Sequence, residues 1–378
     1  MKAKRISALF MLLLIAALLC LTLYQGLNSE KGFPKYNRFY YMKEYMAEVE
    51  AFMKENFPLA KELRFLGVQL QMLAGQRQFN GIYISDNMLI EDIEPPQEEI
   101  AAANQKAMGK FVENSTVPTY VMLLPTKLAI KQQELPENVA LFSFNQKNYM
   151  EELYSNFFGK ATTVDVYPIL FSNYSQYIYY RTSPELTALG SYYVYSVLSQ
   201  RLGNVPLPQQ DFAMQHIKHN FYGETYRQSP YTQIEPDIIT LYRHTKENYN
   251  AIVTHNSDYP YTYNTLYPEH LLNLSQGLDV LLGGDTGDIT IRSNNRRVKS
   301  LLVFGDSSIL PVLPLLTPHY SQIRFIDFSL WNSNALKDLK IEEYDQVLLA
   351  YSVDTMIHQS YPAQIEQVAA LAAAQQSG

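Results

Sequence analysis

Ser300-Leu301-Leu302-Val303-Phe304, followed without a break by Gly305-Asp306-Ser307, is the stretch on which the fold turns. A short apolar run bounded by polar residues reads as a strand buried on both faces, the form taken inside a parallel sheet. Two more such runs follow, Ile323–Phe328 (IRFIDF) and Gln346–Ala350 (QVLLA), and a fourth lies upstream, Val117–Leu124 (VPTYVMLL). Segments long enough for a helix or turn separate them. That alternation predicts an α/β fold, a doubly wound parallel sheet with helices on both faces. In such sheets functional groups gather just past the carboxyl ends of the strands, which is where Gly305-Asp306-Ser307 falls.

Working outward, Ile82-Tyr83-Ile84 and Met88-Leu89-Ile90 predict a hairpin turning at Ser85-Asp86-Asn87. Helices are expected over Met42–Phe57, Leu59–Leu73, Pro95–Val112, Tyr149–Phe158 and Thr187–Leu202, the last closing at Gly203. Thr162–Val166 is a short strand. The Tyr-, His- and Asn-rich stretch around 204–268 carries no clear period and is expected to be an irregular insertion.

At the other end, Lys2, Lys4 and Arg5 precede an uncharged run, Ile6–Leu23. Its 18 residues span roughly 27 Å as a helix, close to the hydrocarbon thickness of a bilayer. The cations favour a cytoplasmic N-terminus, so the expectation is a single-pass anchor with the main domain outside the cell membrane. A cleaved signal peptide is the alternative, but no small-x-small site follows the run. The expected organisation is therefore residues 1–28 as tip, anchor and start of linker, 29–75 as linker and N-terminal helices, and 76–378 as the outer domain.

The chain has 30 basic and 37 acidic residues, and setting aside the three cations before the anchor lowers the net charge from −7 to −10. So acidic a domain is a poor partner for nucleic acid. Cys20, the only cysteine, lies within the anchor, so the outer domain has no disulfide or thiol chemistry. His216 and His219 are spaced to share one helical face, but no zinc-type ligand pattern repeats. Neither a metal nor a cofactor is expected. Thirty Tyr against one Trp suits surfaces that stay wet yet touch something, sugars included.

Ser307, at a strand's end and preceded by Gly305, has the placement of a hydrolase nucleophile, with the backbone N–H groups that follow available to an oxyanion. The plainer reading is a strand-to-helix junction capped by Asp306 or Ser307. Gly283-Gly284-Asp285 offers a backbone that can approach a ligand closely, or else a turn between strands.

This GDS segment, together with Asn80-Gly81-Ile82-Tyr83-Ile84, Val117–Pro125, Tyr180-Arg181-Thr182, Leu281-Leu282-Gly283-Gly284-Asp285 and Tyr344-Asp345-Gln346-Val347-Leu348, resembles the DHHW family. That family is similar to SGNH hydrolases and to the periplasmic proteins that O-acetylate alginate. The resemblance runs from about Asn37 to Met356 and implies an SGNH-like domain. The family's Asp-His-His-Trp lies between an Arg-Thr and a Thr-x-x-Gly-x-Tyr. Here the flanks are Arg181-Thr182 and Thr187-Ala188-Leu189-Gly190-Ser191-Tyr192, but Ser183-Pro184-Glu185-Leu186 stands between them.

By that resemblance Ser183 and Glu185 occupy the places of the Asp and His that would serve Ser307. Gly283 and Gly284 would contribute backbone near an oxyanion, where Asp285 replaces the usual Asn. A Ser hydroxyl without its base loses about 10⁴-fold or more in rate. A partly exposed carboxylate such as Glu185, with a pKa near 4.3, is a poor replacement for imidazole. The expectation is a catalytically degenerate protein that binds cell-envelope polysaccharide or assists a membrane acyltransferase partner in its O-acylation. The alternative is an active serine O-acetyltransferase or esterase using Ser307.

Overall fold

Among the described residues, strand propensity and burial set thirteen strands: β1 (Gln78–Phe79), β2 (Ile82–Ser85), β3 (Met88–Glu91), β4 (Thr119–Leu124), β5 (Thr162–Asp165), β6 (Phe212–Phe221), β7 (Asp237–His244), β8 (Ala251–His255), β9 (Tyr261–Tyr263), β10 (Asp288–Ser293), β11 (Ser300–Gly305), β12 (Gln322–Ile326) and β13 (Gln346–Ser352). The structure, a computed structural model, describes residues 12–13, 16–24, 28, 45–46, 49, 52, 60–85, 87–135, 143–229, 231, 233–245, 251–273, 277–294, 299–331 and 339–368. The chain divides into a unit of residues 1–77 with 230–232 and a larger unit holding the rest.

In the first unit, residues 16–24 are helical and Ala60–Leu73 is a helix. Part of the proposed anchor, residues 6–11 and 14–15, and most of the expected Met42–Phe57 helix lie outside the described residues. Among the described residues no helix is long and apolar enough to cross a membrane.

The larger unit is built on one eight-stranded sheet in the order β5-β4-β13-β11-β12-β10-β8-β9. From β5 to β12 every pairing is parallel. Leu301–Gly305 are all buried, as are Gln346–Tyr351. Since successive side chains point to opposite faces, both faces of these central strands are covered. Beyond β12 the expectation of a wholly parallel sheet fails, because β10, β8 and β9 join antiparallel and the sheet is mixed. For β8 and β9 the cause lies in the connection, which is too short for the crossover a parallel neighbour requires.

The irregular insertion also resolves. Only β6 and β7 stand apart, as a two-stranded ribbon, whereas β8 and β9 complete the main sheet. His216 and His219 lie on β6, not on a helix. The expected helix after Pro95 begins at Glu98, since both prolines precede the first turn. Thr187 caps the Ala188–Arg201 helix by accepting from Gly190 N, and Gly203 follows it at φ +75°.

The strand order has its switch at β11. From β11 the chain steps to β12 on one side, then returns to β13 on the other. The carboxyl ends of β4, β11 and β13 therefore converge at the crevice where α/β sheets place their sites.

Candidate functional site

At the end of β11, a Cβ on Gly305 would stand 2.2 Å from the Ala350 carbonyl oxygen of β13. Only glycine permits that approach, so Gly305 is fixed by strand packing. Asp306 then caps the Ser307–Ile309 turn. Its Oδ1 accepts from Ser308 N at 3.1 Å and from the Ser308 hydroxyl, and its Oδ2 accepts from Ser352 N at 2.8 Å. The carboxylate thus ties the ends of β11 and β13 together, as the capping reading of Asp306 requires. Ser307 is left exposed, and its hydroxyl has no hydrogen-bond partner among the described residues.

The backbone N–H groups after Ser307 are not open to an oxyanion. That of Ser308 is held by Asp306, and that of Ile309 donates to the Asp306 carbonyl at 3.3 Å.

Ser307 opens on a cavity of about 220 Å³, whose wall also carries Glu185, Lys127, Asp306, Asp354 and Tyr361. The Ser183–Leu186 segment is brought there by a tight loop. Tyr179 bridges Leu186, Tyr180 N donates to Glu185 O at 3.1 Å, and Leu89 N donates to Arg181 O at 2.9 Å. Buried Asp237, the first residue of β7, accepts from Arg181 N at 2.7 Å, from Thr182 N at 2.8 Å and from the hydroxyls of Thr182 and Tyr177. Gly223 lies so close that a Cβ would meet Ser183 Cβ at 2.3 Å.

Three of the sequence-predicted residues, Asp306, Ser307 and Glu185, therefore share one cavity. Ser183 is buried, and its hydroxyl donates to the Glu185 carboxylate. Glu185 is not the ordinary surface carboxylate expected of it: burial raises its pKa, against the lowering by the Ser183 hydrogen bond and by Lys127.

Lys127, in the first turn after β4, is the residue that sequence reasoning missed. It is 3% exposed, its Nζ donates to the Leu89 carbonyl at 2.8 Å, and burial pulls its pKa down to about 8 against the fields of Asp237, Glu91 and Glu185. Pro-Thr-Lys after a strand carries no motif, and only the fold shows that this lysine is inside.

No histidine lines the cavity. The Val353–His358 helix after β13 does carry an Asp–His pair, with His358 Nδ1 2.7 Å from Asp354 Oδ1. Its other nitrogen faces the Pro95 carbonyl at 3.2 Å and so is engaged away from Ser307.

Gly283 and Gly284 do not line the cavity. Both have positive φ, and a Cβ on Gly283 would meet the Tyr263 ring at 2.4 Å and His255 Nε2 at 2.8 Å. Gly283 admits those rings and Gly284 packs on Asp279, which is the turn reading. Asp285, next in sequence, faces Asp327. Burial and the neighbouring carboxylate push the pKa of Asp285 well above the usual range and that of Asp327 upward too. Asp285 Oδ2 is buried without a hydrogen-bond partner among the described residues, and burial beside a second carboxylate favours the protonated form of Asp285. The pair therefore does not carry two full negative charges.

The DHHW protein family model matches residues 95–326. A DHHW family protein from Eubacterium siraeum is similar over 77% of this chain and 96% of its own, at 19% identity and a TM-score of 0.64. Bacillus cereus PatB1, solved with a sulfonyl adduct, is similar over 76% of this chain and 98% of its own, at 15% identity and a TM-score of 0.59. No curated protein matches the sequence. The solved structures share the fold and the family model covers more than half of the chain, so the chain belongs to the DHHW protein family.

Proposed function

We propose that this chain is a membrane-anchored, outward-facing member of its family that binds a cell-envelope polysaccharide and assists its O-acylation without catalysing the transfer. The observation that carries the reading is the cavity beside Ser307. The nucleophile's seat is kept, but Ser183 and Glu185 stand where the resemblance places Asp and His, and no histidine lines the wall. A serine without a base to take its proton is chemically idle, while a cavity rich in hydrogen-bonding groups still suits sugar hydroxyls. The envelope location rests on the apolar run 6–23 behind three cations.

A second reading has its own support. Ser307 is exposed beside Glu185, whose raised pKa makes it a better proton acceptor than a surface carboxylate. PatB1 carries a sulfonyl adduct, and sulfonyl reagents mark nucleophilic side chains. On this view the protein is a serine O-acetyltransferase or esterase.

The two separate when the purified full chain meets a serine-reactive fluorophosphonate, beside Ser307→Ala. The proposal expects equal, background labelling of both proteins. Labelling of the wild type that vanishes in Ser307→Ala favours the enzyme.

A further inference from the structure

β8 runs in the same direction as β11, because two antiparallel steps, through β12 to β10 and from β10 to β8, separate them after one parallel step. The turn after β8, residues 256–260, therefore lies at the same end of the sheet as Ser307. Joining β8 to β9, it stands three to four strands from β11, roughly 14–19 Å at ordinary strand spacing.

β9, which leaves this turn, is the edge strand, and its first residue is Tyr261. The Tyr261 ring lies parallel to the His255 ring, with centroids 4.6 Å apart and planes at 10°. His255 is a rigid floor: it is fully buried, with Nδ1 2.7 Å from Thr286 Oγ1 and Nε2 2.9 Å from Leu282 O. Tyr263 is 5.6 Å from Tyr261 and 5.7 Å from His255, nearly perpendicular to both. Being equidistant, it stands beside the stacked pair and does not cover the outer face of Tyr261. Tyr261 accordingly stays 40% exposed, and Tyr259, in the same turn, is 88% exposed.

A tyrosine ring pinned flat on one face and open on the other is the surface that stacks against the apolar face of a sugar, while its hydroxyl stays wet. We propose that the β8–β9 turn is a carbohydrate platform, with Tyr261 as the stacking ring and Tyr259 beside it, for a polysaccharide whose chain reaches the Ser307 cavity along the same end of the sheet. The inference rests on the glycan-binding reading and adds an extended ligand to it.

The test is co-sedimentation of the full chain with intact wall sacculi of Bacillus cereus that retain their attached polymers. Tyr261→Ala should bind about tenfold more weakly and Tyr259→Ala several-fold more weakly, whereas Tyr261→Phe, which keeps the ring, should bind as the wild type does. Ser307→Phe serves as the cavity block. If Tyr261→Ala and Tyr259→Ala bind normally while Ser307→Phe releases the sacculi, the platform is wrong and the glycan reading stands. If the wild type fails to bind, the glycan reading falls and the platform with it. Should Tyr261→Ala not fold, the exposed Tyr259→Ala decides between the first two results.

Discussion

Gly305 and Asp306 show how much chemistry rests on two residues. A methyl group at 305 would have to displace the backbone of β13, because its nearest neighbour is a carbonyl oxygen and not the end of a flexible side chain. Gly305→Ala should therefore destabilise the fold by about 3 kcal/mol, read as a lower midpoint in urea unfolding. Asp306→Ala removes the cap on Ser308 and the tie to Ser352 together, and should cost about 2–4 kcal/mol in the same experiment. The need for glycine ahead of Asp306 is legible in the sequence, but its reason is not, since the clash lies with Ala350, forty-five positions away. Lys127 and Asp237 are illegible for the same cause. Each is an ordinary polar residue in sequence, and only burial against Leu89 or the Arg181–Thr182 backbone gives it a task.

At the scale of elements, the parallel strands are legible because they are buried on both faces and so read as unbroken apolar runs. β8, β9 and β10 are not, for the opposite reason. They lie toward an edge of the sheet and mix polar residues such as Thr254, Thr290 and Arg292 with their apolar ones, so no unbroken apolar run marks them. The junction between the two halves is where Asp285 and Asp327 meet. Asp327 N donates to Gly287 O at 2.9 Å, and Gly287 N donates to Asp285 Oδ1 at 2.9 Å, so the pair sits across the β10–β12 seam. Because the folded pKa is raised above the unfolded one, the folded chain holds more protons than the unfolded chain. Stability from this pair is therefore full at acid pH and is lost as pH rises through the folded pKa. Asp285→Asn should flatten the alkaline side of the stability profile, measured by unfolding midpoints from about pH 5 to about pH 9, and should be the more stable protein at the alkaline end.

For the whole molecule, the resemblance read from scattered motifs and the family match agree, and both lead to a sheet whose carboxyl ends carry Ser307. The envelope role makes a physical prediction of its own. The full chain should stay with the membrane fraction through an alkaline carbonate wash, and deletion of residues 1–28 should release it to the soluble fraction. The site is half legible. Ser307 and Glu185 share the cavity that the motif order implies, while its buried lysine and the platform at the sheet edge depend on contacts between segments far apart in sequence. Under the proposed function the scaffold keeps the nucleophile's seat but lacks the base, the carboxylate that would orient it and free N–H donors just beyond Ser307. The measurement that tests it most directly is hydrolysis of a simple acetyl ester by the wild type, by the double variant Ser183→Asp with Glu185→His, and by each combined with Ser307→Ala. The account predicts background rates for the wild type and a gain in the double variant that disappears with Ser307→Ala. Wild-type turnover that depends on Ser307, and falls in the double variant, would contradict it.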